Sequence, residues 1–157
     1  MASPIEDRLL DALCSAAPEW HWSDDSADRL EVLQWPAERR RAYVLRNAPV
    51  LTYRVDIILV HRRFDHTQDD RPVLLAIECD GHEFHDRTKQ QAAYDRARDR
   101  ELLLLGIATV RFTGSEIHHS AERCAHEALK IFAKLIKRAG SLGSAVSRDD
   151  IIAGMGG

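Results

Sequence analysis

Cysteine is scarce in this sequence: Cys14, Cys79 and Cys124 stand alone, without the paired spacing of a disulfide framework. That scarcity predicts a reducing, cytoplasmic setting. Long apolar runs are missing too. The longest, Leu102 to Val110, is interrupted by Gly106 and is too short to span a bilayer, so no membrane partner is expected. The stretch from Met1 to Arg8 has no apolar run of the kind a signal peptide needs. Positive charge is not in excess. The formal net charge is -3, which excludes a generally basic nucleic-acid binder and leaves any grip on phosphate to a local patch or to metal ions. There is no glycine-rich phosphate loop, no serine nucleophile elbow and no internal repeat.

What is present suits a single α/β domain. The 157 residues are 45% apolar and 30% charged, enough for one ordinary core. We read residues 1–139 as that domain and 140–157, rich in Gly and Ser, as a flexible tail. Ser3-Pro4-Ile5-Glu6 is a capping box that opens a helix from Pro4 to about Ala16, ended before Pro18. Glu19 to Arg41 has no clear period. It holds Trp20, Trp22 and Trp35, with a short strand or helix around Leu30 to Trp35. Ala42 to Arg46 reads as a strand, with a turn at Asn47-Ala48-Pro49. Leu51 to Val60 and Val73 to Cys79 read as further strands. Asp86 to Leu105 follows as a helix with Ala93, Ala97 and Leu104 inward, and Gly106 ends it. A strand from Ile107 to Phe112 and an amphipathic helix from Ile117 to Arg138 complete the order. A helix between the third and fourth strands implies a crossover, hence a mixed sheet.

Three acids stand out on this frame. Asp56 interrupts an otherwise apolar strand, and Glu78 and Asp80, two apart, share a face at the end of the next. A strand-end carboxylate facing water is the ordinary reading of one such acid. It fits Asp56 less well, because Val55, Ile57 and Ile58 crowd it and isolated buried charge is costly. Grouped carboxylates repel and call for a cation, and hard oxygen ligands select Mg²⁺, Mn²⁺ or Ca²⁺. His82 and His85 follow directly and could move a proton near neutral pH, or could be solvated loop histidines. Zinc held by His82, His85 and Cys79 is the weaker alternative, because Cys79 should face away from Glu78 and Asp80.

Tyr53-Arg54-Val55-Asp56 and Ile77-Glu78-Cys79-Asp80-Gly81, with His82 and His85, resemble the PD-(D/E)XK nuclease superfamily, in particular its branch similar to very-short-patch-repair endonucleases. Asp95, Arg98, Asp99, Leu102, Gly106, Val110-Arg111-Phe112 and Glu116 extend the likeness, as does the opening Ser3 to Glu6. It covers Tyr53 to Ile117 well and the first helix loosely. The resemblance implies a restriction-endonuclease-like αβββαβ core with a mixed central sheet, to which the chain adds a C-terminal helix. It also implies Mg²⁺-dependent DNA cleavage, with Mn²⁺ as a substitute. Asp56, Glu78 and the Cys79 carbonyl would then be metal ligands, with Glu6 approaching from the first helix or serving only its cap. One position departs from the pattern: Asp80 stands where the superfamily has a lysine. His82, His85 and Lys89 are candidate replacements, although Lys89 also reads as a solvated helix lysine.

The resulting expectation is an endonuclease in which Asp56, Glu78 and Asp80 hold one or two Mg²⁺ ions and His85 or His82 assists proton transfer. Arg54, Arg62, Arg63 and Arg111 are candidate nucleic-acid contacts, with Arg111 alternatively pairing Glu116. Arg87, Lys89, Arg96, Arg98 and Arg100 are offset by nearby acids and read as a salt-bridged solvated helix face. Two other readings remain: a non-cleaving nucleic-acid-binding module of the same fold, favoured by Asp80 in the lysine position, and a hydrolase of a small phosphoester. The chain could work as a monomer or a homodimer.

Overall fold

In the computed structural model, which describes residues 3–18, 21–23, 42–61, 72–81 and 88–145, Ser3 caps the helix α1 (Pro4–Ala16). The Ser3 hydroxyl accepts from the Glu6 N–H at 3.3 Å, and Pro4, which has no N–H to satisfy, sits in the first turn. A short strand β1 (His21–Ser23) follows, in the stretch where the sequence shows no period. Then come β2 (Ala42–Val50), β3 (Tyr53–His61) and β4 (Val73–Asp80). The expected element around Leu30 to Trp35 lies outside the described residues.

Helix α2 (Lys89–Leu104) crosses to β5 (Ala108–Thr113), and α3 (Gly114–Ala145) closes the order. The sheet is mixed, in the order β1-β2-β3-β4-β5. The pairs β2–β3 and β3–β4 are antiparallel, whereas β1–β2 and β4–β5 are parallel. The crossover through α2 makes the last pair parallel, as the strand–helix–strand order requires.

The sheet is covered on both faces. One side packs Val44, Ile57, Leu59, Leu75, Ile77 and Phe112 against Leu9 and Leu13 of α1 and Ile117, Cys124 and Phe132 of α3. The other packs Leu45, Val55, Ile58, Val60 and Ala76 under α2, which contributes Leu102. The remaining buried residues of α2 are Asp95 and Arg98. That polar inner face explains why the apolar pattern misplaces the helix's orientation: Ala93 is exposed and Leu104 is 87% exposed, not inward. Among the described residues no helix is long and apolar enough to cross a membrane.

Four boundaries differ from the sequence reading. Strand β2 runs through Asn47-Ala48-Pro49 to Val50, and the turn falls at Leu51-Thr52. The alternation breaks there because Asn47 takes φ 48°, which asparagine tolerates. Helix α2 begins at Lys89 because Thr88 caps it, its hydroxyl accepting from the Gln91 N–H at 3.1 Å. Helix α3 begins at Gly114 under a Thr113 cap and continues to Ala145, past the Gly140 where composition predicts a tail. It is broken at Ser120 (φ -158°), whose hydroxyl accepts from the Arg123 N–H and so caps the second half.

Gly106 ends α2 with φ 79°; its N–H donates to the Leu103 carbonyl and that of Ile107 to the Leu102 carbonyl, each at 2.9 Å. Gly106→Ala should therefore destabilise the protein by about 1–2 kcal/mol, the cost of placing a Cβ in the left-handed region. Urea denaturation measures it, and an unchanged midpoint would contradict the motif.

Candidate functional site

The site forms where β3 and β4 part. Their ladder ends at Ile57 opposite Ile77. Continued by one residue, that register sets Asp56 beside Glu78. The β2–β3 ladder also lapses there, since Asn47, the residue opposite Asp56, makes no pair. Asp56 therefore lies where the registers of both ladders lapse. Its side chain takes over: the carboxylate accepts from the Cys79 N–H at 2.8 Å. A backbone donor that the diverging strands would orphan is satisfied this way.

Glu78 is buried, 5% exposed, and faces α2. Burial first, and then the neighbouring Asp56 carboxylate, push its carboxyl up to about 8, against the pull of Arg98 and Arg111. Burial also raises Asp56, against the Cys79 amide. The two carboxyls lie close enough for each to act on the other. Glu78 Oε1 is buried and has no hydrogen-bond partner among the described residues.

Two arginines stand over these acids. Arg111 lies beside Glu78 in the parallel register of β4 and β5. It donates to both Asp99 oxygens, at 2.8 and 3.4 Å, and to Asp80 at 3.4 Å. Burial works against its charge, but the Asp99 hydrogen bond and the surrounding carboxylates outweigh it and raise its pKa. Arg98 reaches in from α2. Its guanidinium is 3.6 Å from Glu78, 3.8 Å from Asp95 and 3.8 Å from Asp99. Among the described residues, five carboxyl groups (Asp56, Glu78, Asp80, Asp95 and Asp99) thus surround two guanidiniums.

The expected site residues meet different fates. Asp56 and Glu78 come together as the sequence predicts. Asp80 stands at the same strand end but is engaged by Arg111. Cys79 faces the opposite side of the sheet, toward the α1–α3 core, as its register demands. Burial, then Asp56, Glu6, Glu78 and Asp80, raise its thiol far above the ordinary value, which disfavours a thiolate ligand.

Glu6 lies close enough for its charge to reach that thiol, and its carboxylate also accepts from the Ser3 hydroxyl at 3.0 Å. The start of α1 is brought to this strand end by Ile5. A Cβ built on Gly81 would rest 3.4 Å from Ile5 Cδ1, and one on Gly114 3.6 Å from it. Gly81 and Gly114 thus both lie beside α1, at distances a Cβ would meet as ordinary contact; among the described glycines only Gly106 takes a positive φ.

Lys89 is exposed at the first turn of α2. Arg54 is exposed and donates to the Asn47 carbonyl at 3.2 Å, bracing the lapse in β2. Arg111 does not pair with Glu116. That carboxylate accepts from the Thr113 N–H at 2.8 Å and caps α3, which holds it below the ordinary range. His82, His85, Arg62, Arg63 and Arg87 lie outside the described residues. Arg98 is the residue the sequence reading placed wrongly, on a solvated face. Its signal was present: Asp95, Arg98 and Leu102, at i, i+3 and i+7, share one face of α2.

Among the described residues no group of three or more His, Cys, Asp or Glu side chains is arranged to hold a metal ion. What is assembled is a pair, Asp56 and Glu78, with the Cys79 carbonyl between Glu78 and Asp80 in the chain. That donor set is all hard oxygen, its charges crowd one another, and one buried carboxylate oxygen lacks a partner. Those properties fit a hard divalent cation. No family model, curated protein or solved structure matches the chain.

Proposed function

We propose that the protein is a metal-dependent endonuclease that hydrolyses phosphodiester bonds in DNA. The observation that carries this reading is the Asp56–Glu78 pair at the point where β3 and β4 diverge, with a buried carboxylate oxygen that has no partner among the described residues. The element order supports it. Helix α1, strands β2, β3 and β4, helix α2 and strand β5 follow the αβββαβ order of the restriction-endonuclease-like core, with β1 and α3 added. The sequence resemblance to the PD-(D/E)XK superfamily runs over the same elements.

Asp56, Glu78 and the Cys79 carbonyl would hold Mg²⁺ or Mn²⁺, which supplies an acidified water and neutralises charge on the reacting phosphate. Asp56 is oriented for this by the Cys79 N–H. Glu78 must lose its proton to become a ligand, and Arg98 and Arg111 favour that loss. Arg111 keeps Asp80 turned toward β5 and α2 rather than free in the cleft. Proton transfer to the leaving oxygen falls to His82 or His85 in this reading.

Incubation of supercoiled plasmid with the protein and Mg²⁺ or Mn²⁺ tests it. The expected result is conversion to open-circular or linear DNA, abolished by EDTA. A plasmid that stays supercoiled while still being bound would favour the second reading, a non-cleaving DNA-binding module. That reading draws on the Asp80–Arg111 pair at the strand end where a free cation would serve catalysis.

A further inference from the structure

Arg98 and Arg111 both face the acid pair, but they are not equivalent. Arg111 is spent, with hydrogen bonds to Asp99 and Asp80. Arg98 is buried, 9% exposed, yet its nearest carboxylate oxygens lie 3.6–3.8 Å away, beyond good hydrogen-bond length. Among the described residues its Nε, which faces Asp99, has no hydrogen-bond partner, and neither does Glu78 Oε1, which faces Arg98 Nη1. A buried guanidinium and a buried carboxylate thus oppose each other without closing a bond. Native interiors rarely leave such groups open unless a third party fits between them.

A second constraint narrows what that party is. Among the described residues acids outnumber arginines in the cleft, so an anion is best received together with a cation and where a donor awaits it. Arg98 is held for that task. Leu102, one turn on, anchors α2 in the apolar core, and Asp95, one turn back, steadies the guanidinium. Its planar fork matches a phosphate oxygen pair better than an ammonium does.

The geometry points to Arg98 as the residue that grips the substrate phosphate at this site, supplying from α2 the positive charge that Asp80 does not supply from β4. This rests on the phosphodiester reading above. Arg98 takes a non-bridging phosphate oxygen while Glu78 turns to the cation, so that the contact seen between them is the resting arrangement. Arg111 serves as a positioning residue that holds Asp80 and Asp99 aside.

The test compares the wild-type protein with Arg98→Gln, Arg98→Met, Arg98→Lys and the charge control Lys130→Gln, a change at an exposed position of α3. Two readouts run in parallel: anisotropy of a fluorescein-labelled DNA duplex in Ca²⁺, and single-turnover nicking of plasmid in Mn²⁺. Thermal melts establish folding. The neutral Arg98 variants should bind the duplex about tenfold or more weakly and nick about 100-fold or more slowly. Arg98→Lys should recover part of both, and Lys130→Gln should match the wild type.

Duplex binding by Arg98→Gln or Arg98→Met within about twofold of wild type would overturn the assignment. Failure of both neutral variants to fold would also overturn it, making Arg98 a structural counter-ion. Wild-type protein that binds in Ca²⁺ but does not nick would sink the nuclease reading alone, and binding would still decide Arg98. Wild-type protein that neither binds nor nicks would overturn both.

Discussion

Asp56→Ala should leave a folded protein whose metal-dependent nicking is slower by about 10³-fold or more. Loss of a bound cation removes several kcal/mol of stabilisation from a phosphate transition state, and each 1.36 kcal/mol is about tenfold in rate. The structural cost is smaller. Asp56 is half-buried, and its loss orphans the Cys79 N–H, worth about 1–3 kcal/mol. Relief of the charge crowding with Glu78 offsets part of that. Asp56→Asn separates the two effects, because its amide oxygen still accepts from Cys79 while its charge is gone. Both variants should be inactive, and Asp56→Asn should melt closer to wild type. Nicking by Asp56→Asn at the wild-type rate would remove Asp56 from the chemistry.

The second large effect concerns pH. Glu78 holds its proton up to about 8 in the folded protein but only to about 4.5 when unfolded. Across that window the folded state binds more protons, so stability falls as pH rises. Asp56, also raised, acts in the same direction. Glu116, lowered by its bonds to Thr113, acts oppositely and only at lower pH, where its stabilisation is lost as pH falls. Metal binding must displace the Glu78 proton, so stabilisation by Mg²⁺ should grow with pH. At a hundredfold excess over Kd it amounts to about 2.7 kcal/mol, or roughly 5–10 °C in Tm for a chain of this size. Melting curves across this window, with Mg²⁺ and with EDTA, measure it. Without cation Tm should fall as pH rises, and Glu78→Gln should flatten the fall and abolish the Mg²⁺ effect. A Tm that climbs with pH in EDTA would contradict the buried pair.

The frame of the site was legible because two signals coincided. An acid inside an apolar strand and two acids at the end of the next need only an antiparallel pairing to meet, and the register provides it. The capping box at Ser3 is local chemistry, visible over four residues.

What escaped was long-range. Helix α2 buries Asp95 and Arg98, so hydrophobic periodicity pointed its alanines inward when its charges face the sheet. The pairing of Arg111 with Asp99 depends on how α2 lies across β5, which no spacing in the chain encodes. The end of β2 was misplaced for a related reason. Proline and asparagine suggest a turn, but Asn47 is the bend that lets Asp56 leave the ladder. The irregularities that misled the reading are those that shape the site.

Asp56 and Glu78 are proposed to hold a divalent cation together. Titration of the metal-free protein with Mn²⁺, followed by the loss of the free ion's electron paramagnetic resonance signal, tests it without any DNA. The wild-type protein should take up at least one ion per chain, and Asp56→Asn and Glu78→Gln should each lose that uptake while remaining folded. Wild-type protein that binds no Mn²⁺, or a Glu78→Gln variant that binds it as well as wild type does, would contradict the account.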